Sequence, residues 1–348
     1  MANFVSNIVE DGTIVAINNL ITNATNIVIT CHVSPDGDAV GASLALKHVL
    51  VQLNKNVEVV TPDQCPKSLQ FLPGIKTIIP YSINKAVADK KIHEADLIFC
   101  LDFNSLYRVD KMAEILSSAS AYKVLIDHHL EPEDFASITI SKPNLSSTCL
   151  LLYYVINQLK LSDYITNDVA TCIYTGMLTD TGNFSYNSND ADLYLVISDL
   201  LKCGIDKDSI YNQVYNTNNE SRIRLCGYAL DQKMQLFPDN HASLICINKE
   251  ELEKFNYEKG DTEGLVNIPL SIPGICYSAF FREDDDYVKI SMRSIGDFPV
   301  NKICEKYFNG GGHKNAAGGE FYGTIVEAEL LFKSILFENN IYFNGNSK

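Results

Sequence analysis

Short apolar runs alternate with helix-type patterns through the first half of the chain. Four such runs occupy positions 27–30, 57–60, 97–101 and 124–126. Apolar runs of this length, separated by amphipathic stretches, are typical of buried strands joined by helices. The alternation predicts an α/β fold, in which βαβ units form a mostly parallel sheet flanked by helices.

The pattern of apolar and polar residues changes after this alternating region. Residues 147–159 and 167–178 are predicted helices, and the pattern stays helical but becomes more polar from 190 to 232. Strand-type runs return after Phe237, with two further helical patterns near 300–308 and 326–337. Because 348 residues exceed what one core comfortably holds, we expect two domains. The predicted boundaries are 1–189 for the first domain, 190–232 for a helical connector and 233–348 for a smaller mixed α/β domain.

The charge balance limits the partners that this chain can bind. Lys and Arg number 28 against 43 Asp and Glu, a formal net charge of −15. Such a surface repels long nucleic acids unless cations or a local basic pocket intervene. The longest apolar stretch, 149–156, is too short to cross a bilayer, and the N-terminus lacks a basic leader region. Ten cysteines without a CxxC pattern favour a reducing compartment, so we expect a cytoplasmic protein with no membrane partner.

Acidic residues and histidines follow the ends of three predicted strands. Because the carboxyl ends of parallel strands share one edge of a sheet, these side chains are expected to converge there. Carboxylates crowded in this way repel one another, and divalent cations are the simplest means of stabilising them. A mixed imidazole and carboxylate set suits manganese, iron, zinc or magnesium, and its size favours two ions. The residues are His32, Asp36, Asp38, Asp102, Asp127, His128 and His129.

Asp180 ends an apolar helix and is followed by Thr181 and Gly182. A negative charge at a helix C-terminus opposes the helix dipole, so a nearby cation would explain its position. Each of these acidic motifs also has a simpler interpretation when taken alone. Asp36-Gly37-Asp38 fits a turn, and Asp102 or the Asp-His-His sequence fits a helix cap. Their conjunction at one sheet edge favours the metal site.

The C-terminal part contains a glycine-rich signature at 310–312, followed by His313 and Lys314. Three glycines permit close backbone approach and positive φ, so their N–H groups could form an anion-binding nest ahead of a short helix beginning at His313. A plain flexible loop is the alternative. Arg293 adds a planar guanidinium suited to phosphate. The acidic stretch at 282–287 is expected to be an exposed hairpin loop without chemistry.

Four motifs in a fixed order resemble those of the DHH phosphoesterase superfamily. They are His32-x3-Asp36-x-Asp38, Asp102, Asp127-His128-His129 and Asp180. Gly310-Gly311-Gly312-His313 resembles the signature of the DHHA1 domain. Chain length and this signature resemble the nanoRNase group, oligoribonucleases that also dephosphorylate 3′-phosphoadenosine 5′-phosphate (pAp). RecJ-type exonucleases are longer, and family II pyrophosphatases lack the glycine signature.

The resemblance implies a role for each motif. His32 and Asp36 would hold one metal, Asp38 and His128 the other, with Asp102 bridging and Asp180 completing the ligands. Asp127 would orient a histidine, and His129 would face the scissile phosphate. A water activated by the two cations would attack phosphorus in line. The implied cofactors are two divalent cations, Mn²⁺ first, with Mg²⁺ or Co²⁺ as alternatives.

Substrate contacts are also implied by the resemblance. Arg293, Gly310, Gly311, Gly312 and His313 would grip a terminal phosphate or nucleotide, with Arg108 as a further phosphate contact or an interdomain salt bridge. The implied substrates are short RNA or DNA oligonucleotides and nucleotide phosphates such as pAp.

Other functions stay open at this point. Asn183 stands where arginine is expected in many nanoRNase relatives, so the linear dinucleotide pApA and polyphosphate remain alternative substrates. A nucleotide-binding regulator without turnover is an alternative of a different class. The sequence also leaves open whether the chain is a homodimer.

Overall fold

The four apolar runs are strands of one parallel sheet. The computed structural model describes residues 7–339, and the strands of its first sheet are β1 (Asn26–Thr30), β2 (Asn56–Thr61), β3 (Ile79–Pro80), β4 (Leu97–Leu101), β5 (Tyr122–Asp127) and β6 (Ile138–Ser141). Their spatial order is β3-β2-β1-β4-β5-β6, and each neighbouring pair is parallel. The predicted parallel sheet is confirmed. The two short edge strands β3 and β6 were not predicted, because two to four residues carry too weak a pattern.

Helices cover both faces of this sheet. They are α1 (Asp11–Asn23), α2 (Gly37–Gln52), α3 (Tyr81–His93), α4 (Ala113–Ser118), α5 (Thr148–Gln158), α6 (Asn167–Asp180), α7 (Ala191–Lys202) and α8 (Lys207–Tyr215). Alternate strand residues serve the two faces: Ile27 and Ile29 of β1 pack with the core under α2, α5 and α6, whereas Val28 packs with the core under α3 and α4. Central β4 is buried at every position, as expected for a strand covered on both sides.

Small residues allow α2 and α6 to pack closely. A Cβ added at Gly41 would lie 3.2 Å from the Cys149 Sγ and 3.3 Å from the Gly176 nitrogen. A Cβ at Gly176 would lie 2.7 Å from the Asp38 Oδ1. Gly41 therefore allows the close approach of α2 to α6, and Gly176 leaves room for the Asp38 carboxylate, which positions one part of the site described below.

The second sheet is mixed. Its strands are β7 (Met234–Phe237), β8 (Ala242–Ile247), β9 (Tyr277–Glu283), β10 (Val288–Ser294), β11 (Gly311–His313) and β12 (Ala316–Phe321), with helices α9 (Glu220–Tyr228), α10 (Lys249–Lys254), α11 (Val300–Tyr307) and α12 (Ile325–Asn339). The order is β11-β12-β10-β9-β8-β7, in which only β8 and β9 run parallel among the residues described. The predicted smaller mixed α/β domain is confirmed.

The chain divides into two compact units at Thr217 and Asn218. This division falls inside the predicted connector 190–232: α7 and α8 lie in the first unit and α9 in the second. The outer ends of the predicted domains, residues 1 and 348, lie outside the described range.

The glycine signature does not form the predicted loop and helix. Gly311–His313 is strand β11, which pairs with β12 through a turn at Lys314 and Asn315. The Gly310 N–H donates to the Cys304 carbonyl (3.1 Å), and a Cβ at Gly310 would collide with the Gly318 carbonyl. The helix prediction from His313 was therefore wrong. The glycines allow β11 and β12 to pack closely. The local sequence does not show this pairing of the two strands.

Candidate metal centre

The predicted site residues meet at the carboxyl edge of the first sheet. His32 lies just beyond β1, Asp102 directly follows β4, and Asp127 is the last residue of β5. The neighbouring strands β1 and β4 mark the point from which the chain adds strands in opposite directions: β2 and β3 lie beyond β1, and β5 and β6 lie beyond β4. Open α/β sheets bind ligands at such a point. The predicted convergence of these motifs is therefore seen in the structure.

One group of ligand atoms comes from His32, Asp36 and Asp102. The His32 Nε2 lies 3.7 Å from the Asp36 Oδ1 and 3.3 Å from the Asp102 Oδ2. The His32 Nδ1 lies 2.8 Å from the Val33 carbonyl, which can only accept, so the proton is on Nδ1 and Nε2 is presented to the carboxylates. Asp36 also caps α2, accepting from the Asp38 and Ala39 N–H groups.

A second group comes from Asp38, His128 and Asp180. The His128 Nε2 lies 3.2 Å from the Asp180 Oδ2, while its Nδ1 lies 3.2 Å from the Leu145 carbonyl. The same argument assigns the proton to Nδ1 and leaves Nε2 for a metal. Asp180 is the last residue of α6, as the sequence predicted. The pairing of Asp180 with His128 is thus present in the structure.

Asp102 lies between the two groups. Its Oδ2 is near His32, and its Oδ1 is 3.6 Å from the His128 Nε2. The residue is 2% exposed and has a φ of 63°, a left-handed conformation that is strained for a side chain other than glycine. Strain of this kind persists only where surrounding contacts hold it and is concentrated at functional sites. Its position fits the predicted bridging ligand.

Asp127 and His129 form a hydrogen-bonded pair beside this cluster. The His129 Nδ1 lies 2.7 Å from the Asp127 Oδ1 and 3.7 Å from the Asp102 Oδ1. Asp127 is fully buried, and its Oδ2 has no hydrogen-bond partner within residues 7–339. His129 also groups with Asp102 and His128 as a set of ligand atoms.

The electrostatics of the cluster favour the binding of cations. Burial disfavours the charged imidazolium, yet the Asp102 and Asp36 carboxylates raise the pKa of His32 to about 10. Burial and the charges of Asp102 and Asp36 hold the pKa of Asp38 well above its usual range. Burial, with the charge of Asp38, raises the pKa of Asp180 to about 9. These carboxylates cannot all ionise without added positive charge.

The donor atoms themselves fit divalent metals. Within each group they lie no more than 4.8 Å from one another, and they are imidazole nitrogens and carboxylate oxygens. This donor set suits Mn²⁺, Zn²⁺, Fe²⁺ or Mg²⁺. We refer to His32, Asp36, Asp38, Asp102, His128 and Asp180 as the metal cluster.

The N-terminus of α5 holds the metal cluster in place. The backbone N–H groups of Thr148 and Cys149 donate to the two Asp38 carboxylate oxygens, at 2.6 and 2.8 Å. The Thr148 hydroxyl donates to the Asp102 Oδ1 at 3.0 Å. Sequence reasoning predicted the helix but not this role. Ser147, which caps α5, was a visible signal for a helix start, but nothing local showed which carboxylate it faces.

The remaining candidates of the first unit lie around the metal cluster. The Arg108 carbonyl accepts from the Val33 N–H at 2.8 Å, which places this residue beside the His32 loop. Asn183 and Phe184 follow Asp180 in left-handed conformations, with φ values of 58° and 60°. The Phe184 N–H donates to the Thr181 hydroxyl at 3.0 Å, which braces this turn.

Two candidate substrate residues of the second unit share one face of its sheet. Arg293 on β10 and His313 on β11 are each paired with Ala316 of β12. Directly opposite residues of antiparallel strands point to the same face, so the side chains of Arg293 and His313 lie on either side of the Ala316 methyl group. Two strand spacings separate the backbones of Arg293 and His313 by about 10 Å. We call Arg293, Ala316 and His313 the Arg293 row. The Arg293 Nη1 donates to the Met292 carbonyl at 2.9 Å, which ties the guanidinium to this sheet.

Comparison with protein families accounts for both units. Residues 26–177 match the DHH family, N-terminal domain, and residues 243–335 match the DHHA1 domain. A crystal structure of an exopolyphosphatase-related protein from Bacteroides fragilis is 48% identical, with a TM-score of 0.95, over 99% of this chain and 100% of that one. The chain belongs to the DHH family. The predicted resemblance to DHH and DHHA1 proteins is confirmed.

Other relatives of this DHH-family chain span most of its length. The bifunctional oligoribonuclease and PAP phosphatase NrnA of Bacillus subtilis is 29% identical over 309 residues, which cover 88% of this chain and 92% of that protein. RecJ from Thermus thermophilus, crystallised with Mn²⁺, is 12% identical with a TM-score of 0.53, covering 95% of this chain and 54% of that one. The RecJ likeness shows a shared fold. None of the helices in residues 7–339 is long and apolar enough to span a bilayer.

Proposed function

We propose that this DHH-family chain is a metal-dependent phosphoesterase that hydrolyses short oligonucleotides to mononucleotides and removes phosphate from pAp-like nucleotides. The observation that carries the proposal is the metal cluster, in which two sets of ligand atoms share Asp102. The likeness to NrnA over most of both chains supports the choice of substrates.

The proposed cofactors are two divalent cations, with Mn²⁺ as the first choice. His32 and Asp36 would hold one, Asp38, His128 and Asp180 the other, and Asp102 would touch both. When bound, such a pair supplies Lewis acidity that neutralises phosphate oxygens and makes a water nucleophilic near neutral pH.

The protein groups prepare this arrangement before substrate binds. The carbonyls of Val33 and Leu145 fix the tautomers of His32 and His128, so both Nε2 atoms face the metal cluster. The α5 N-terminus holds the Asp38 carboxylate through two backbone N–H groups, a favourable setting for negative charge. Holding these ligands in place beforehand is the basis of electrostatic preorganisation.

His129 supplies the proton for the leaving group in this proposal. The Asp127 carboxylate accepts from the His129 Nδ1 and orients the ring, and the proton to be transferred would be carried on Nε2. Donation of that proton to the departing oxygen would leave a neutral imidazole still oriented by Asp127. The reaction then needs no covalent enzyme intermediate.

The Arg293 row supplies the substrate contacts. Arg293 and His313 carry the basic groups, and Gly310, Gly311 and Gly312 keep strand β11 tight against β12 so that His313 is held in register. Arg108 is proposed as a further phosphate contact beside the His32 loop. A chain with a net charge of −15 would bind short substrates at such local basic groups but not long strands.

A substrate panel tests the function. Dinucleotides, pAp, pApA, a long RNA and polyphosphate are each incubated with the full chain and Mn²⁺, Mg²⁺ or Co²⁺, with Asp102→Ala as the inactive control. We expect dinucleotides and pAp to be hydrolysed fastest, with Mn²⁺. Faster hydrolysis of polyphosphate, or equal rates on long and short RNA, would contradict the proposal. Nucleotide binding without turnover by the wild type would favour a regulator.

A further inference from the structure

A cavity of about 530 Å³ opens on the same face of the second sheet as Arg293. Strand β10 carries Lys289, Ser291 and Arg293 into it, while Val288, Ile290 and Met292 point to the core on the other side. Lys289 and Arg293 are four residues apart, about 13 Å along the strand. The cavity therefore extends the Arg293 row along β10, and we call it the β10 cavity.

The floor of this region carries small residues next to Ser291 on the β12 side, whereas Glu320 of β12 lies opposite Lys289. Ser291 of β10 pairs with Gly318, which in turn pairs with Gly311 of β11. Because directly opposite residues share a face, a strip of small residues lies between the Arg293 row and Lys289. A flat group can approach the sheet closely along this strip.

The far wall of the β10 cavity is rigid and aromatic. The Arg282 guanidinium lies 5.1 Å from the Tyr257 ring centroid and donates to Asp284 at 2.7 and 3.0 Å. The charge of Arg282 is thereby compensated by Asp284, and the Arg282 side chain has a structural role in this wall. Tyr287 completes the wall from the hairpin between β9 and β10.

The loop that closes the cavity is anchored to helix α9. Two nitrogens of Arg222 donate to the Gly260 and Glu263 carbonyls, both at 3.0 Å. The loop turns at Gly264, whose φ of 82° needs glycine. The cavity is therefore preformed, as is usual for small-molecule sites.

The lining of this cavity contains more basic than acidic side chains: Lys259, Arg282, Lys289 and Arg293 against Glu263 and Asp284. Lys259 and Lys289 line it and form no ion pair within the described part of the chain, in a protein whose net charge is −15. Unpaired cations next to aromatic rings are the combination that binds a phosphate together with a base.

We propose that the β10 cavity is a nucleotide subsite, in which Lys289 holds a phosphate and Tyr287 contacts the base. The ligand class is a nucleoside monophosphate, either as one unit of an oligonucleotide substrate or as a free mononucleotide. This inference rests on the proposed function and deepens it, because such a subsite adds affinity for substrates with more than one nucleoside.

The test compares Lys289→Ala and Tyr287→Ala with Lys302→Ala, an exposed lysine on α11 at the opposite face of the sheet. Kinetics with Mn²⁺ are measured on a trinucleotide and on pAp. We expect KM for the trinucleotide to rise roughly 10-fold in the two cavity variants, the order expected for one charge-assisted hydrogen bond, with KM for pAp unchanged. Equal KM for the trinucleotide in all three variants and the wild type would overturn the subsite.

Binding without metal separates this inference from the proposed function. Calorimetric titration of the full chain in EDTA with AMP and with the trinucleotide gives a dissociation constant that does not depend on catalysis. Weaker binding of AMP in the cavity variants identifies a free mononucleotide as a ligand, and weaker binding of the trinucleotide alone identifies the oligonucleotide. If the wild type hydrolyses nothing, the proposed function fails while the dissociation constants still test the subsite, which fails if both are the same in the cavity variants as in the wild type.

Discussion

The metal cluster and the Arg293 row differ in how deeply their side chains are buried. Asp38, Asp102 and His32 are 0, 2 and 6% exposed, whereas His313 is exposed and Arg293 is half-buried. In the metal cluster, ligands from different strands and helices are held by backbone N–H and carbonyl groups. In the Arg293 row, neighbouring strands of one sheet present side chains to the surface.

This difference in burial leads us to expect different roles for the metal cluster and the Arg293 row. Buried carboxylates must be oriented before a metal arrives, because a low-dielectric site penalises any unpaired charge. Exposed basic groups need only alternate correctly along a strand, and they can adapt to different substrates. We therefore expect changes in the metal cluster to reduce metal content and kcat, and changes in the Arg293 row to alter KM.

The largest effect is expected for Asp102→Ala. Losing the ligand shared by both groups should reduce kcat at least about 1000-fold, because several kcal/mol of charge stabilisation depend on the metals. Metal content, measured by elemental analysis after gel filtration, should fall in parallel. The control Asp134→Ala changes an exposed carboxylate of the same unit and should retain both. An Asp102→Ala protein with full metal content would contradict the bridging assignment.

A large but selective effect is expected for His129→Ala. Loss of a general acid typically costs about 100- to 10,000-fold in rate, while metal content should stay at the wild-type level. Asp127→Asn should act in the same direction, since it replaces the carboxylate that accepts from the His129 Nδ1 and orients the ring. Rates on a substrate with a good leaving group should be much less affected. Loss of metal in His129→Ala would instead make it a ligand.

A smaller effect is expected for Thr148→Val. This substitution keeps the shape and the backbone N–H groups that hold Asp38 but removes the hydroxyl bonded to Asp102. Supporting contacts of this kind change metal affinity by about 10- to 100-fold. Competition with a metallochromic dye measures the affinity directly, and Thr148→Ser, which keeps the hydroxyl, should restore it. Unchanged affinity in Thr148→Val would show that the backbone contacts alone are sufficient.

The smallest effect is expected for Arg293→Lys. The lysine keeps the charge but loses the planar fork, so KM for pAp should rise roughly 10-fold with kcat within about 3-fold of the wild type. Metal content should not change. A fall in kcat without a change in KM would blur the distinction between the two regions, because it would give Arg293 a part in the chemical step.

Several parts of the fold and site follow from sequence alone. The four central strands and the helices α5, α6, α11 and α12 lie where their patterns predicted them. A hairpin also joins β9 and β10 where it was predicted, but Arg282 and Glu283 belong to β9, and only Asp285 and Asp286 of the stretch 282–287 are exposed. These elements have long, regular apolar patterns, so local information is sufficient. The short strands β3 and β6 have no such pattern and take their conformation from their neighbours in the sheet.

The sequence by itself determined which residues approach the sheet edge, because His32, Asp102 and Asp127 follow strands whose parallel arrangement was already implied. Only the tertiary structure decided that the α5 N-terminus grips Asp38, that Gly311–His313 pairs as a strand, and that Lys289 and Arg293 line one cavity. The physical reason is distance along the chain. Thr148 and Asp38 are 110 residues apart, so the contact depends on how whole elements pack and leaves no local signature in the sequence.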